Sequence, residues 1–265
     1  CGRRNHLVIS DTLSAIPSLY FIAAGVFFFA GTIKGVLGIG LPTTALALLT
    51  LVVSPLEAIG LNLIPMIATN FYQFVSAQNI TSIIRTYYRF ALIMSAMLMI
   101  TALLASSFGN DFIKLMISVS ILSFCANNLF FRKWRMREAY DHFWQYSLGC
   151  ASGLIGGLTS AWGVPITMYL VMKNVSPRQF VDISGFLIIV GCIPVTIGYV
   201  ATDVFTQSLL IPGLIGAGAG LVGFRCGASL RGRIEPALFQ KLVLWMFFAM
   251  GLRMAYSALS SYGIL

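Results

Sequence analysis

Charge is what this sequence has least of. Of its 265 residues only 9% are charged, while 58% are hydrophobic. An average soluble domain carries about 25% charged residues, so too few are present to cover a water-facing surface, and most of this surface is expected to face lipid. Acids are the scarcer sign, 8 against 17 basic residues. All of them fall at or near the ends of apolar runs, which leaves no mid-span carboxylate to run proton or sodium coupling. Histidine is nearly missing too. His6 and His142 both lie outside the apolar runs, so the commonest catalytic base and metal ligand is kept out of the membrane interior. The five cysteines are odd in number and irregularly spaced, which argues against a disulfide framework or a zinc site. Cys125, Cys150 and Cys192 read as small apolar fillers. No His-rich, Ser/His/acid or Cys-x-x-Cys pattern occurs in the spans, so neither an enzyme nor a metal or other cofactor is expected. Cys1, with no initiator Met, reads as a processed terminus.

What is present is long and apolar. The runs are continuous, unlike the alternating strands of about ten residues that build an outer-membrane barrel. The expected fold class is therefore an all-α polytopic membrane protein. Six runs, 56–75, 90–108, 112–131, 180–201, 208–224 and 236–259, are long enough to span, at about 17–25 residues each. The other four come as two pairs, 19–35 with 41–53 and 143–158 with 164–172, each pair divided by Gly and Pro. Together the pieces of a pair are too long for one straight span, and the second piece is too short for its own. A re-entrant helical hairpin fits each pair, and such interrupted segments in matching places point to a transporter binding site.

The two breaks repeat one another. Gly31 and Gly153, Gly35 and Gly157, and the pairs Ser54-Pro55 and Ser176-Pro177 are all 122 residues apart. Gly40 and Gly163, Pro42 and Pro165, and Thr44 and Thr167 are 123 apart. This ordered series divides the chain into an N-terminal segment (1–17), a first repeat half (18–131), a basic cytoplasmic linker (132–143) and a second repeat half (144–265). Twelve of the 17 basic residues cluster near residues 85–89, 132–137, 173–178 and 225–241, which marks those connections as cytoplasmic. Repeat-equivalent connections then fall on opposite sides of the membrane. The expectation is two inverted repeats, each a re-entrant hairpin plus three transmembrane helices, in the cell's inner (plasma) membrane. Arg3 and Arg4 favour a different start, in which 19–53 is one kinked span and the N-terminus is inside.

The duplicated Gly/Pro break resembles the TauE/SafE sulfite exporter family over essentially the whole chain. The likeness is strongest at residues 31–42 followed by Ser54-Pro55-Leu56-Glu57-Ala58, and at 153–165 followed by Ser176-Pro177. The resemblance implies a carrier of small sulfur anions: sulfite, a sulfonate such as sulfoacetate, or a thiosulfate-like ion. An anion channel, or a carrier of another small organic anion, is the alternative.

Physics points to an anion independently of the resemblance. Pro42 and Pro165 sit near the first turn of each second arm, where the missing N–H of Pro costs nothing. The free N–H groups and partial positive charge of that turn face the hairpin tip, making a helix-terminus anion site. Gly38, Gly40 and Gly163 allow close approach to the backbone. Thr43, Thr44, Ser160 and Thr167 offer hydroxyl donors. The competing reading is that these small residues only permit tight helix packing. Asn62 and Ser184 are repeat partners on the helix after each hairpin, and both can donate to an anion. Lys34, one turn before the first tip, is a functional candidate as an intramembrane cation, or a residue that snorkels to the interface. Trp162 walls the substrate cavity or packs. Arg253 neutralises substrate charge or reaches the outer interface. The expected partners are a small anionic substrate and the bilayer; a homo-oligomer is compatible with both, and nucleic acid is not expected.

Overall fold

A computed structural model describes residues 2–130, 136–230 and 236–262, with side chains from residue 19 onward except at 127–130, 236–240 and 242. Cys1 and the basic residues Arg132, Lys133, Arg135, Arg231 and Arg233 lie outside the described residues, as do the side chains of Arg3 and Arg4. Among the described residues the chain is helical throughout, with no strand. The first half holds α1 (Gly2–Leu37), α2 (Leu41–Leu49), α3 (Pro55–Leu61), α4 (Leu63–Val75), α5 (Ile80–Leu104) and α6 (Asn110–Phe130). The second holds α7 (Asp141–Thr159), α8 (Gly163–Met172), α9 (Pro177–Ala201), α10 (Leu210–Leu230) and α11 (Pro236–Ser261).

The helices break at both Gly/Pro motifs. α2 and α8 have only 9 and 10 residues, and at about 1.5 Å per residue each covers half of a ~30 Å hydrocarbon core. Among the described residues six stretches are long and apolar enough to cross: Leu19–Leu37, Pro55–Val75, Ile80–Ser107, Pro177–Ala201, Gln207–Leu230 and Val243–Ser261. Five of these coincide with expected spans. The expected span 112–131 reaches residue 131, outside the described residues, while Leu19–Leu37, expected as a hairpin arm, is itself long enough to cross. Its helix is longer still, because α1 begins at Gly2 and runs unbroken through the boundary expected near residue 17. Large apolar side chains such as Phe21, Leu92 and Ile193 stand exposed on the outside of the bundle, as lipid contact requires. The protein is a multi-pass membrane protein.

One break falls where the apolar pattern gives no warning. The run 56–75 divides at Asn62 into α3 and α4. Pro65 explains it: the residue donates no hydrogen bond, and its ring clashes with the carbonyl one turn earlier, at Leu61.

Glycine decides which helices meet. A Cβ at Gly31 or Gly35 of α1 would collide with the α10 backbone at Gly220 or Phe224, and one at Gly223 or Gly227 of α10 with the α1 backbone at Phe28 or Thr32. In the second half a Cβ at Gly153 or Gly157 of α7 would lie 2.6 or 2.8 Å from the α5 carbonyls of Met94 or Leu98, and one at Gly149 3.1 Å from that of Phe90. Each first arm therefore lies backbone to backbone on a long helix of the other half. The remaining contacts follow the same exchange. α10 packs on α4 and α5 on α9, while α4 meets α9 and α6 meets α11.

The Ser-Pro pairs start α3 and α9 as capped helices. Ser54 accepts from the Glu57 N–H, and Ser176 forms a reciprocal capping box with Gln179. Ser176→Ala is expected to cost about 1 kcal/mol, read as a lower thermal midpoint in detergent with transport retained.

Candidate anion site

The other two helix starts are built differently. α2 begins after Gly40, whose φ of 103° lies in the left-handed region, and α8 begins after Trp162; neither has a side-chain cap. Their first N–H groups have no acceptor within their own helix. Both starts are buried, and a buried helix end without a capping partner is rare. The turns leading into them match as well. Gly38 and Ser160, 122 residues apart, both hold left-handed backbone, at φ 85° and 54°.

The two starts meet at one small cavity of about 30 Å³. Gly40, Pro42 and Thr43 line it from the first tip, and Trp162, Gly163 and Thr167 from the second. Met66 of α4, Ser184 and Ile188 of α9, and Phe124 of α6 add to the wall. A Cβ added at Gly163 would meet nothing within 4 Å, and one at Gly40 only the Ile33 side chain at 3.9 Å. These glycines face space, whereas those at 31, 35, 153 and 157 face backbone. The motif thus has two parts, a packing ridge and an open tip.

The hydroxyls are already engaged as donors. Thr44 donates to the Gly40 carbonyl at 2.6 Å and Thr167 to the Gly163 carbonyl at 2.7 Å, while Thr43 reaches the Gly40 carbonyl at 3.4 Å. What the tips present to a ligand is therefore chiefly backbone N–H. Ser184 likewise donates to the Val181 carbonyl and accepts from Gln73. Ser160 accepts from the Asn62 amide at 3.3 Å, which ties the α3/α4 break to the second tip. Two buried groups beside the tips are left without partners: the indole N–H of Trp162, a donor, and Oδ1 of Asn62, an acceptor.

Of the residues expected from the sequence, Gly40, Pro42, Thr43, Trp162, Gly163, Thr167 and Ser184 share the cavity wall. Gly38, Thr44, Asn62, Ser160 and Pro165 belong to the same turns or to the helix break beside them, outside the wall. Lys34 lies one turn before the tip, buried, with its ammonium on Asn70 Oδ1 at 2.6 Å and Thr69 Oγ1 at 3.4 Å. Arg253 is exposed on α11, outside the wall. Sequence reasoning did not select Met66, Phe124, Ile188, Thr69, Asn70 or Gln73. The signal was available in α4 and its N-cap, where Asn62, Thr69, Asn70 and Gln73 recur at helical spacing as buried polar residues in an apolar run.

The sequence model of the sulfite exporter TauE/SafE family matches residues 23–254, nearly the whole chain. The chain belongs to this family. TauE/SafE proteins are membrane transporters of sulfur anions and not enzymes, so this chain is a transport protein with a small anionic substrate and a lipid surround. The match covers both tips, α4, α9 and all but the last residues of α11. A plasma-membrane location is consistent with the TauE/SafE assignment. Comparisons with curated proteins and with solved structures give no match.

Proposed function

We propose that this TauE/SafE protein exports a small sulfur-containing anion, sulfite or an organosulfonate such as sulfoacetate, from the cell by alternating access. The anion binds between the two hairpin tips. One observation carries the reading: two uncapped helix N-termini, one from each repeat, face a single buried cavity. Helix starts of this kind supply backbone donors and partial positive charge without a full cation. In a dry interior they replace the hydration that an oxyanion gives up.

The exchange of packing partners between halves supports an inverted repeat. In such a repeat, rocking one half against the other exposes the tips to each side in turn. The small volume of the cavity, about 30 Å³, favours a carrier over a continuously open pore. An anion leaving a negative-inside cell gains about 2.3 kcal/mol per charge per 100 mV, enough to drive export without a coupling ion.

Proteoliposome flux is the test. Sulfite efflux is expected to saturate with concentration, to speed up when the side holding the anion is made negative, and to persist when a proton gradient is collapsed. Flux indifferent to potential but abolished with the proton gradient would overturn the driving force proposed. Conductance far above carrier rates in single-channel recording would replace the carrier with a channel.

A further inference from the structure

Lys34 is a charge without a counter-charge. Its side chain is 1% exposed in the middle of an apolar bundle. Among the described residues no carboxylate lies within ion-pair distance of it. Its neighbours are the neutral oxygens of Asn70 and Thr69 and, at 6.0 Å, the Phe224 ring, at the outer limit of a cation–π contact. These partners are themselves fixed. Asn70 donates to the Met66 carbonyl and Thr69 to the Pro65 carbonyl, so both present oxygen to the ammonium as if held ready for it. An ammonium has three protons to donate, and burying it without an opposite charge is costly.

The repeat shows what stands in the corresponding place of the other half. The equivalent of Lys34 is Gly156, and the space a side chain would take there is occupied by Trp162. The equivalent of Thr69 is Gly191, and the Trp162 indole nitrogen lies 2.9 Å from where a Gly191 Cβ would sit. The Lys34 ammonium lying against α4 and the unpartnered Trp162 indole N–H lying against α9 are thus matching donors on the shoulders of the two tips, one charged and one neutral. Met66, whose carbonyl holds Asn70, lines the cavity one turn away.

We infer that Lys34 is the counter-charge for the transported anion, and that Asn70 and Thr69 hold its ammonium while the cavity is empty. The inference rests on the anion site proposed above and assigns the residue that makes that site select charge. Substrate entering between the tips draws the ammonium toward it, and the pair crosses the low-dielectric interior with its charge compensated.

Two variants test this in purified full-length protein, by thermal-shift titration with sodium sulfite and sodium sulfoacetate against sodium chloride at equal ionic strength. Lys34→Met removes the charge. Asn70→Asp keeps Lys34 but gives it a permanent partner that competes with substrate. Both are expected to fold, with unliganded midpoints equal to or above wild type, and to bind either anion about a hundredfold more weakly. A structural role for Lys34 would leave the affinity of Asn70→Asp unchanged, so that outcome overturns the inference, as does a Lys34→Met variant that binds as wild type does. Should Lys34→Met fail to fold, Asn70→Asp decides alone. Wild-type protein that no sulfur anion stabilises overturns the site itself, and the role of Lys34 with it.

Discussion

Gly163→Val is expected to leave the protein folded and to bring anion flux down to that of empty liposomes. The substitution sits at the first residue of α8, where an added Cβ meets nothing within 4 Å and the backbone is not left-handed. The Cβ itself meets no steric penalty and its methyls point toward existing space, so the thermal midpoint should stay within a few degrees of wild type. The space the side chain enters is the cavity wall, and that cavity holds only about 30 Å³. A branched side chain there closes the space between the tips and covers the free N–H groups of the α8 start. Gly218→Val is the matched control. It also enters open space, but on the exposed face of α10, and should transport as wild type does. Wild-type flux from Gly163→Val would mean that the anion does not pass between the tips.

Gly223→Val should do the reverse, damaging the fold before any question of transport arises. Its Cβ would run into the Phe28 carbonyl and come within 3.0 Å of the Thr32 amide nitrogen. Both are backbone atoms of a continuous helix, so neither can turn aside as a side chain does. Forcing α1 and α10 apart is expected to cost about 3 kcal/mol or more, a drop of roughly 6–12 °C in midpoint for a chain of this size. The variant should also elute as aggregate in size-exclusion chromatography. An unchanged midpoint would show that the α1–α10 contact yields to a branched side chain without loss of stability. Together the two substitutions divide the glycines of this protein by what surrounds them, although the residue type is the same.

That division explains what the sequence could and could not disclose. The repeated Gly/Pro breaks, the short second arms and the membrane class follow from spacing and composition, because they depend only on local backbone chemistry and on total apolar length. Which glycines pack and which line the cavity depends on the partner helix. For Gly31 and Gly35 that partner lies in the other half of the chain, where no local pattern can point. The donors expected of Thr44 and Thr167 illustrate the same limit. A hydroxyl is visible in the sequence, but the carbonyl four residues back that takes its proton is a property of the formed helix. The break at Asn62 was legible through Pro65, yet an unbroken apolar run conceals it. On α11 the buried positions Phe247, Gly251, Met254 and Ala258 recur every three or four residues. Arg253 falls off that face, so periodicity alone would have moved it away from the cavity wall. Lys34 was visible from the start as a lone cation in an apolar run. Its lack of a carboxylate partner appears only when the neighbouring helices are in place.

The crossing of the first arms onto the opposite halves also sets an order of assembly. α1 is made well before the surface its glycines are cut to fit, which belongs to α10, with α2 to α9 between them in the chain. Until then its small-residue groove has only lipid or a chaperone to lie against. α5, by contrast, meets α7 soon after both are made. The second hairpin can therefore seat as soon as α7 is made, while the first waits for α10. A chain truncated before α10 would leave the newborn protein with α1 inserted but undocked, a form that membrane quality control can recognise and remove.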